Sequence, residues 1–173
     1  DTFNVGSKAK INFNQPSPSS VTLNRVMDMN ASQILGRISA TGQVFISNPN
    51  GIIFGTTAQV DVAGIVATTK SISNTDFLNG KTTFEGDGRT SSVINHGSLQ
   101  AALGGYIALL APHVRNEGII VAREGTVALA AGDKTTLEFS GNKLVAVIVD
   151  RPVMDALVEN KQLVRAEGGY VVL

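Results

Sequence analysis

The chain has 173 residues, enough for one sizeable domain and too few to expect two. Its 14 basic and 14 acidic side chains cancel, which removes the electrostatic case for nucleic acid or an anionic membrane surface as a partner. Only 16% of residues are charged, 18 are glycine and 43% are hydrophobic, a composition that favours a turn-rich all-β protein over a helical or disordered chain.

There is no cysteine, so neither a disulfide nor a thiolate metal site is available. That absence suits a chain crossing an oxidising compartment unfolded, where an early disulfide would obstruct threading. No apolar run reaches the ~18 to 20 residues of a membrane-spanning helix. The opening Asp1-Thr2-Phe3-Asn4-Val5-Gly6 lacks the pattern of a signal peptide and reads as the start of a mature or trimmed fragment. At the other end Tyr170-Val171-Val172-Leu173 reads as a strand cut short before its turn.

Along the chain, Phe3 and Val5, Ile11 and Phe13, and Val21 and Leu23 alternate as short strands, broken by a loop at Gln15-Pro16-Ser17-Pro18-Ser19-Ser20. Residues 28–35 suit one short helical turn capped by Asn30 or Ser32. Next come two apolar triplets, Val44-Phe45-Ile46 and Ile52-Ile53-Phe54, around the polar Asn48-Pro49-Asn50-Gly51. The triplets are too short for helices and rich in β-branched and aromatic types, so they read as buried strands. Pro49 presets φ for the second position of a turn and Gly51 accepts positive φ, so the sheet bends here around a core. Alone, such a tetrapeptide is equally an ordinary hairpin turn.

Ala58-Gln59-Val60-Asp61-Val62 and Gly64-Ile65-Val66-Ala67-Thr68 come next as strands. Residues 70–93 then break the rhythm. Asn79-Gly80 between alternating runs predicts a projecting hairpin spanning Phe77 to Phe84. Later, Asp150 as N-cap and Pro152 in a first turn predict a short surface helix within 150–159, held by Val153 and Leu157.

The second half repeats. Asn95-His96-Gly97-Ser98-Leu99-Gln100-Ala101 aligns with Asn116-Glu117-Gly118-Ile119-Ile120-Val121-Ala122 and with Asn160-Lys161-Gln162-Leu163-Val164-Arg165-Ala166. Each copy is followed by a glycine corner and a second strand beginning at Gly105, Gly125 or Gly169. Strand alternation puts Leu99, Ile120 and Val164 on one face with Ala101, Ala122 and Ala166, and turns Gln100 and Arg165 away. Ile107, Val127 and Val171 likewise share a face with Leu109, Leu129 and Leu173. Like residues recur about 20 positions apart, the period of a solenoid whose units bury their faces against one another. Parallel stacking sets Asn95 over Asn116, where side-chain amides can form a ladder. The predicted fold is an all-β parallel β-helix.

Ile34-Leu35-Gly36-Arg37-Ile38, Gly42-Gln43-Val44-Phe45-Ile46 and Asn48-Pro49-Asn50-Gly51-Ile52-Ile53-Phe54-Gly55 closely resemble the secretion domain of two-partner secretion exoproteins, the filamentous-haemagglutinin-like adhesins and cytolysins of Gram-negative bacteria. Asn12-Phe13-Asn14-Gln15-Pro16 and Leu23-Asn24-Arg25-Val26 resemble the family's early segment. The upstream Asn-Pro-Asn-Leu motif of many members is absent here. The resemblance covers nearly the whole chain and implies a right-handed β-helix with an extra hairpin and a short helix. It also implies a single secretion domain over 1–173, without cofactor, acting at the head of a larger exported protein. Its implied partner is the set of periplasmic POTRA domains of a cognate outer-membrane β-barrel transporter. Asn48, Pro49, Asn50, Gly51 and Ile52 are the expected recognition or folding motif. The implied location is the cell surface or beyond it, reached through periplasm and outer membrane, and the expected state is a monomer. A host-cell surface or glycan is a second partner class, met by the flat β-helix face or the 77–84 hairpin.

Catalysis finds no support. A polysaccharide-cleaving β-helix needs paired carboxylates or an acidic calcium cluster, yet Asp61, Asp76, Glu85, Asp87, Glu117, Glu124, Glu138, Asp150 and Asp155 are scattered. The two histidines, His96 and His113, have no Gly-x-Ser-x-Gly serine to serve and too few companions for zinc. The glycine-rich Glu85-Gly86-Asp87-Gly88 and Leu103-Gly104-Gly105 lead into no phosphate-cradling helix. Aromatic residues do not interleave with a basic patch, which disfavours single-stranded nucleic acid.

Overall fold

The computed structural model of the chain describes residues 2–151 and 154–173. Its strands come in repeating sets. The first unit holds β1 (Lys10–Phe13), β2 (Val21–Arg25) and β3 (Ser32–Ile34), and the second β4 (Arg37–Ala40), β5 (Gln43–Ser47) and β6 (Ile52–Phe54). In the third, the long β7 (Gln59–Thr68) fills two positions. The short helix α1 (Asn74–Leu78) and β8 (Thr83–Glu85) then intervene before β9 (Ser92–Asn95). The fourth has β10 (Ser98–Ala111), again double, and β11 (His113–Asn116). In the fifth, β12 (Ile119–Ala122) and β13 (Thr126–Ala131) are separated from β16 (Leu157–Asn160) by β14 (Lys134–Ser140) and β15 (Lys143–Arg151). The short β17 (Val164–Arg165) and β18 (Tyr170–Val172) begin a sixth.

Each strand pairs in parallel with its counterpart in the next unit. The orders β1-β4-β7-β10-β12-β17 and β2-β5-β7-β10-β13-β18 fuse through the two long strands into a ten-stranded sheet, while β3-β6-β9-β11-β16 forms a five-stranded one. Parallel neighbours cannot be joined by a tight hairpin. Here the chain meets that requirement by going once around the core before returning to pair.

The register stacks like on like. Ile11, Ile38, Val60, Leu99, Ile120 and Val164 stand in one column. Val44, Ile65, Ile107, Val127 and Val171 stand in another. The interior members of both columns are fully buried in one core, as the repeat predicts. Each such aliphatic side chain contributes roughly 1.5–3 kcal/mol on burial. Val171 and Leu173 are exposed, because no strand among the described residues lies over β18.

The amide ladder forms as well. Asn95 Nδ2 donates to Asn116 Oδ1 at 2.8 Å, and Asn116 Nδ2 donates to Asn160 Oδ1 at 2.8 Å. Each of the first two also closes its own corner, accepting from the N–H of Gly97 or Gly118. A buried polar column satisfied from above, below and within fixes the vertical register more sharply than aliphatic packing does.

The two interruptions of the repeat leave the body at the same corner, after β7 and after β13, and they pair with each other. β14 sits between β15 and β8 in a three-stranded antiparallel sheet. This sheet and α1 cover the outward face of the second-position strands, making a second core of Phe45, Val66, Phe84, Tyr106, Leu110, Leu137 and Leu144. Rings of Phe45 and Phe84 lie 6.0 Å apart, and those of Tyr106 and Phe139 5.0 Å apart. Gly64 makes room for Tyr106, since a Cβ there would stand 2.5 Å from the ring edge. The Tyr106 hydroxyl donates to Gln43 Oε1, and burial holds its proton well above the usual tyrosine range.

Three local expectations are corrected. The hairpin about Asn79-Gly80 does not form: Ser73 caps α1 by accepting from the Asp76 N–H at 3.0 Å, and Asn79 closes the helix before Gly80 at φ +70°. A helix stop and a two-residue hairpin ask the same backbone of that glycine. The helix expected within 150–159 is absent among the described residues. Asp150 belongs to β15 and Leu157 to β16, while Pro152 and Val153 lie outside the described residues. The true extra hairpin is β14–β15, turning at Gly141-Asn142, so helix and hairpin have exchanged places. Finally, the expected turn over 28–35 yields to β3, whose Ser32, Gln33 and Ile34 pair with Ile52, Ile53 and Phe54.

Lys70 is buried where the antiparallel sheet meets the body, its ammonium donating to Thr135 Oγ1. Desolvation lowers its pKa from 10.5 to about 8, with Asp133 pulling the other way. Between those values the unfolded chain holds a proton that the folded chain has released, so folding gains as pH rises. Urea titrations should show stability climbing from pH 8 towards 10 at up to about 1.4 kcal/mol per unit, then falling as unfolded Tyr106 begins to ionise. Lys70→Met should abolish the climb. Asn116→Ala should strand the amide of Asn95 and the Gly118 N–H in the dry core and cost about 2–4 kcal/mol in the same assay. Asn160→Ala, at the exposed end of the ladder, should cost less.

Candidate functional site

Asn48 to Ile52 make the corner between β5 and β6. The equivalent corner is residues 26–31 in the first unit, Pro112 in the fourth, and the departure point of an insertion in the third and fifth. The motif is therefore a short form of the corner that in the third and fifth units carries the molecule's additions.

Asn48 is completely buried. Its Nδ2 donates downwards to Asn30 O and Ser32 Oγ, both at 3.0 Å, and its Oδ1 accepts the Asn50 N–H at 2.9 Å. Its backbone N–H donates upwards to Thr68 O at 3.0 Å, and the Gly51 N–H closes the turn onto Asn48 O at 3.0 Å. One residue thus ties three successive units together. Asn50 Nδ2 donates to Asp28 O at 2.7 Å, and the Gly51 carbonyl accepts the Ser32 N–H.

Gly51 adopts φ +113°, and a Cβ there would stand 3.1 Å from Ser92 O, so geometry and space both demand glycine. Ile52 is fully buried between Ser32 and Val93. The structure therefore brings all five expected residues into one corner, and three of them, Asn48, Gly51 and Ile52, are buried in it. Only Pro49 and Asn50 remain half-exposed.

Those two border a cleft of about 550 Å³ with Met27, Met29, Asp87 and Arg89. Met27 and Met29 are 79% and 87% exposed, flexible thioethers held out by the Asp28 turn. Arg89 reaches Asn50 Oδ1 at 3.3 Å and pairs with Asp87 at 3.3 Å. Sequence reasoning missed this surround. Its one legible trace was the unusual pair of methionines in a polar loop.

The histidines stand apart from this corner. His96, Glu117 and Lys161 occupy successive copies of one repeat position and touch: His96 Nδ1 lies 3.2 Å from Glu117, and Lys161 Nζ 3.2 Å. Lys161, then His96 and Arg115, hold the Glu117 carboxyl below its usual range. His113 opens β11 and its Nε2 meets Asp155 O at 2.8 Å. No three His, Asp or Glu side chains converge as a metal site among the described residues.

With this corner and its stacked units in view, comparison with known proteins is decisive. The TPS secretion domain family matches residues 1–173. The chain belongs to that family. A heme/hemopexin-binding protein of Haemophilus influenzae strain Rd is 36% identical over 174 residues, covering 95% of this chain and 19% of that protein. Another H. influenzae heme/hemopexin-binding protein is 45% identical over 71 residues, 41% of this chain and 8% of its own length. The crystal structure of the HMW1 secretion domain from H. influenzae superposes with a TM-score of 0.93 at 31% identity, over 98% of this chain and 46% of that one. The chain thus spans about a fifth of the length of the first of these relatives. No helix among the described residues is long and apolar enough to cross a membrane.

Asn48→Ala should leave the Asn50 N–H and Ser32 hydroxyl without their partner and cost about 2–4 kcal/mol in denaturant titration. Gly51→Ala should be of similar severity, because strain and crowding act together.

Proposed function

We propose that this domain is a right-handed parallel β-helix and the N-terminal, non-catalytic secretion module of a large adhesin- or haemagglutinin-like exported protein. The periplasmic POTRA domains of a cognate β-barrel transporter recognise it, and its folding outside nucleates folding of the downstream chain. The monomer is the working state. The observation that carries this reading is the family match over the whole chain, in a molecule whose strands pair almost entirely with the next unit.

Such a chain suits threading. It has no cysteine to cross-link, and each unit needs only its neighbour as a template. Units added at the far side bury apolar columns and so oppose return through the pore without ATP. In transit the unfolded strands present unpaired backbone groups, which can extend the edge of a receptor sheet.

The Asn48-Pro49-Asn50-Gly51-Ile52 corner divides between two roles. Asn48, Gly51 and Ile52 shape the fold from inside, while Pro49 and Asn50, with Met27 and Met29, form the face offered to the transporter. The heme and hemopexin binding named for the relatives is not assigned to this domain, whose histidines are engaged with Glu117 and the Asp155 carbonyl.

Export into the medium by cells carrying the cognate transporter tests the division. Met27→Ser/Met29→Ser and Pro49→Ala should leave the melting temperature of the purified domain within a few degrees and reduce export several-fold. Unchanged export with an intact fold would reduce the motif to a shaping role.

A further inference from the structure

We propose a second binding site, for an acidic oligosaccharide, on the outward face of the ten-stranded sheet, where the register places Lys10, Arg37, Gln59 and Ser98 in one row and Asn12, Ser39, Asp61 and Gln100 in the next.

Two adjoining clefts of about 430 and 330 Å³ share Lys10, Arg37 and Gln59. Neighbouring strands lie ~4.8 Å apart and alternate residues ~6.6 Å apart, so the rows present donors and acceptors on a regular lattice of sugar-like spacing. Arg37 is held in place, its Nε donating to Gln59 Oε1 at 3.2 Å, and Ser39 Oγ donates to Asn12 Oδ1 at 2.9 Å.

The remaining groups are not used by the protein itself. Among the described residues the Lys10 ammonium and the Asp61 carboxylate have no ion-pair partner, and the side chains of Ser98 and Gln100 make no hydrogen bond. The outward face of the five-stranded sheet and the corner beyond it are the opposite case: Arg115 pairs with Glu159 at 2.6 Å, and at the corner Lys161 and His96 pair with Glu117. One face satisfies its own charges; the other leaves them open beside a concavity.

The arrangement selects the ligand's chemistry. Lys10 and Arg37, with Lys8 beside them in the smaller cleft, supply cations for sugar carboxylates, Arg37 through the Nη1 side that its bonds to Gln59 leave open. Asp61 and Gln100 offer acceptors and donors for hydroxyls further along. Asp61 lies beside these cations, so a nucleic acid with a phosphate at every residue meets it, whereas a glycan with a carboxylate on alternate sugars can set that group on Lys10 and Arg37 and turn hydroxyls to Asp61. No aromatic ring lines either cleft, so binding rests on charge-assisted hydrogen bonds and weakens with salt. The face ends where Ile119 and Val121 take over the two rows.

Titration of the intact domain with a hyaluronan hexasaccharide at low salt, followed by amide NMR, tests this independently of export. Shifts should concentrate on Lys10, Arg37, Gln59, Asp61 and Gln100. Arg37→Ala should weaken binding about tenfold, the loss expected for one charge-assisted bond, whereas Lys161→Ala at the corner beyond the five-stranded sheet should not. Absence of shifts at millimolar sugar, wild-type affinity in Arg37→Ala, or equal binding of a short DNA duplex to the same residues would each overturn the proposal.

Discussion

A side chain directed into this core is covered above and below by whatever occupies the same register position in the adjacent units. Ile38, for instance, lies between Ile11 and Val60, and Leu99 between Val60 and Ile120. Because backbone bonds lock neighbouring strands in parallel, a column tolerates only residues of similar shape, and one displaced unit would misplace every side chain beyond it. The repeat in the sequence is the imprint of that demand. Asparagine columns add direction to it: an amide donates to one neighbour and accepts from the other, so Asn95, Asn116 and Asn160 agree on a register that aliphatic contacts alone would specify less tightly.

The same constraint explains where the molecule departs from repetition. Strands must keep their columns, so additions can enter only at corners. Both large ones leave at the corner after the second strand position, and there they meet as a three-stranded sheet over Tyr106 and Phe45. Burial of Lys70 in that junction results from packing one sheet upon another across a chain that must also turn. In the second unit the corner stays short, and Asn48 meets its backbone requirements from inside.

That economy leaves the proline corner with two faces. Asn48 and Gly51 are enclosed by Asn30, Ser32, Thr68 and Ser92, while Pro49 and Asn50 look onto the cleft beside Met27 and Met29. A corner of this kind keeps the groups that hold the fold apart from those that face the cleft.

The repeat, the inward columns, the amide ladder and the bend at Pro49 were legible in the chain, since period-two alternation and a recurring Asn-x-Gly set local direction whatever lies nearby. The continuous runs Tyr106-Ile107-Ala108-Leu109-Leu110-Ala111 and Thr126-Val127-Ala128-Leu129-Ala130-Ala131 also carry the mark of strands buried on both faces. What covered the second face was not legible, because β8 and β14 are distant in sequence and their pairing is a tertiary event. For the same reason Asn79-Gly80 served as a helix stop, Ser32-Gln33-Ile34 became a strand, and Gly141-Asn142 made the hairpin. Local sequence defines which conformations are cheap, and only the assembled neighbours decide which of them is used.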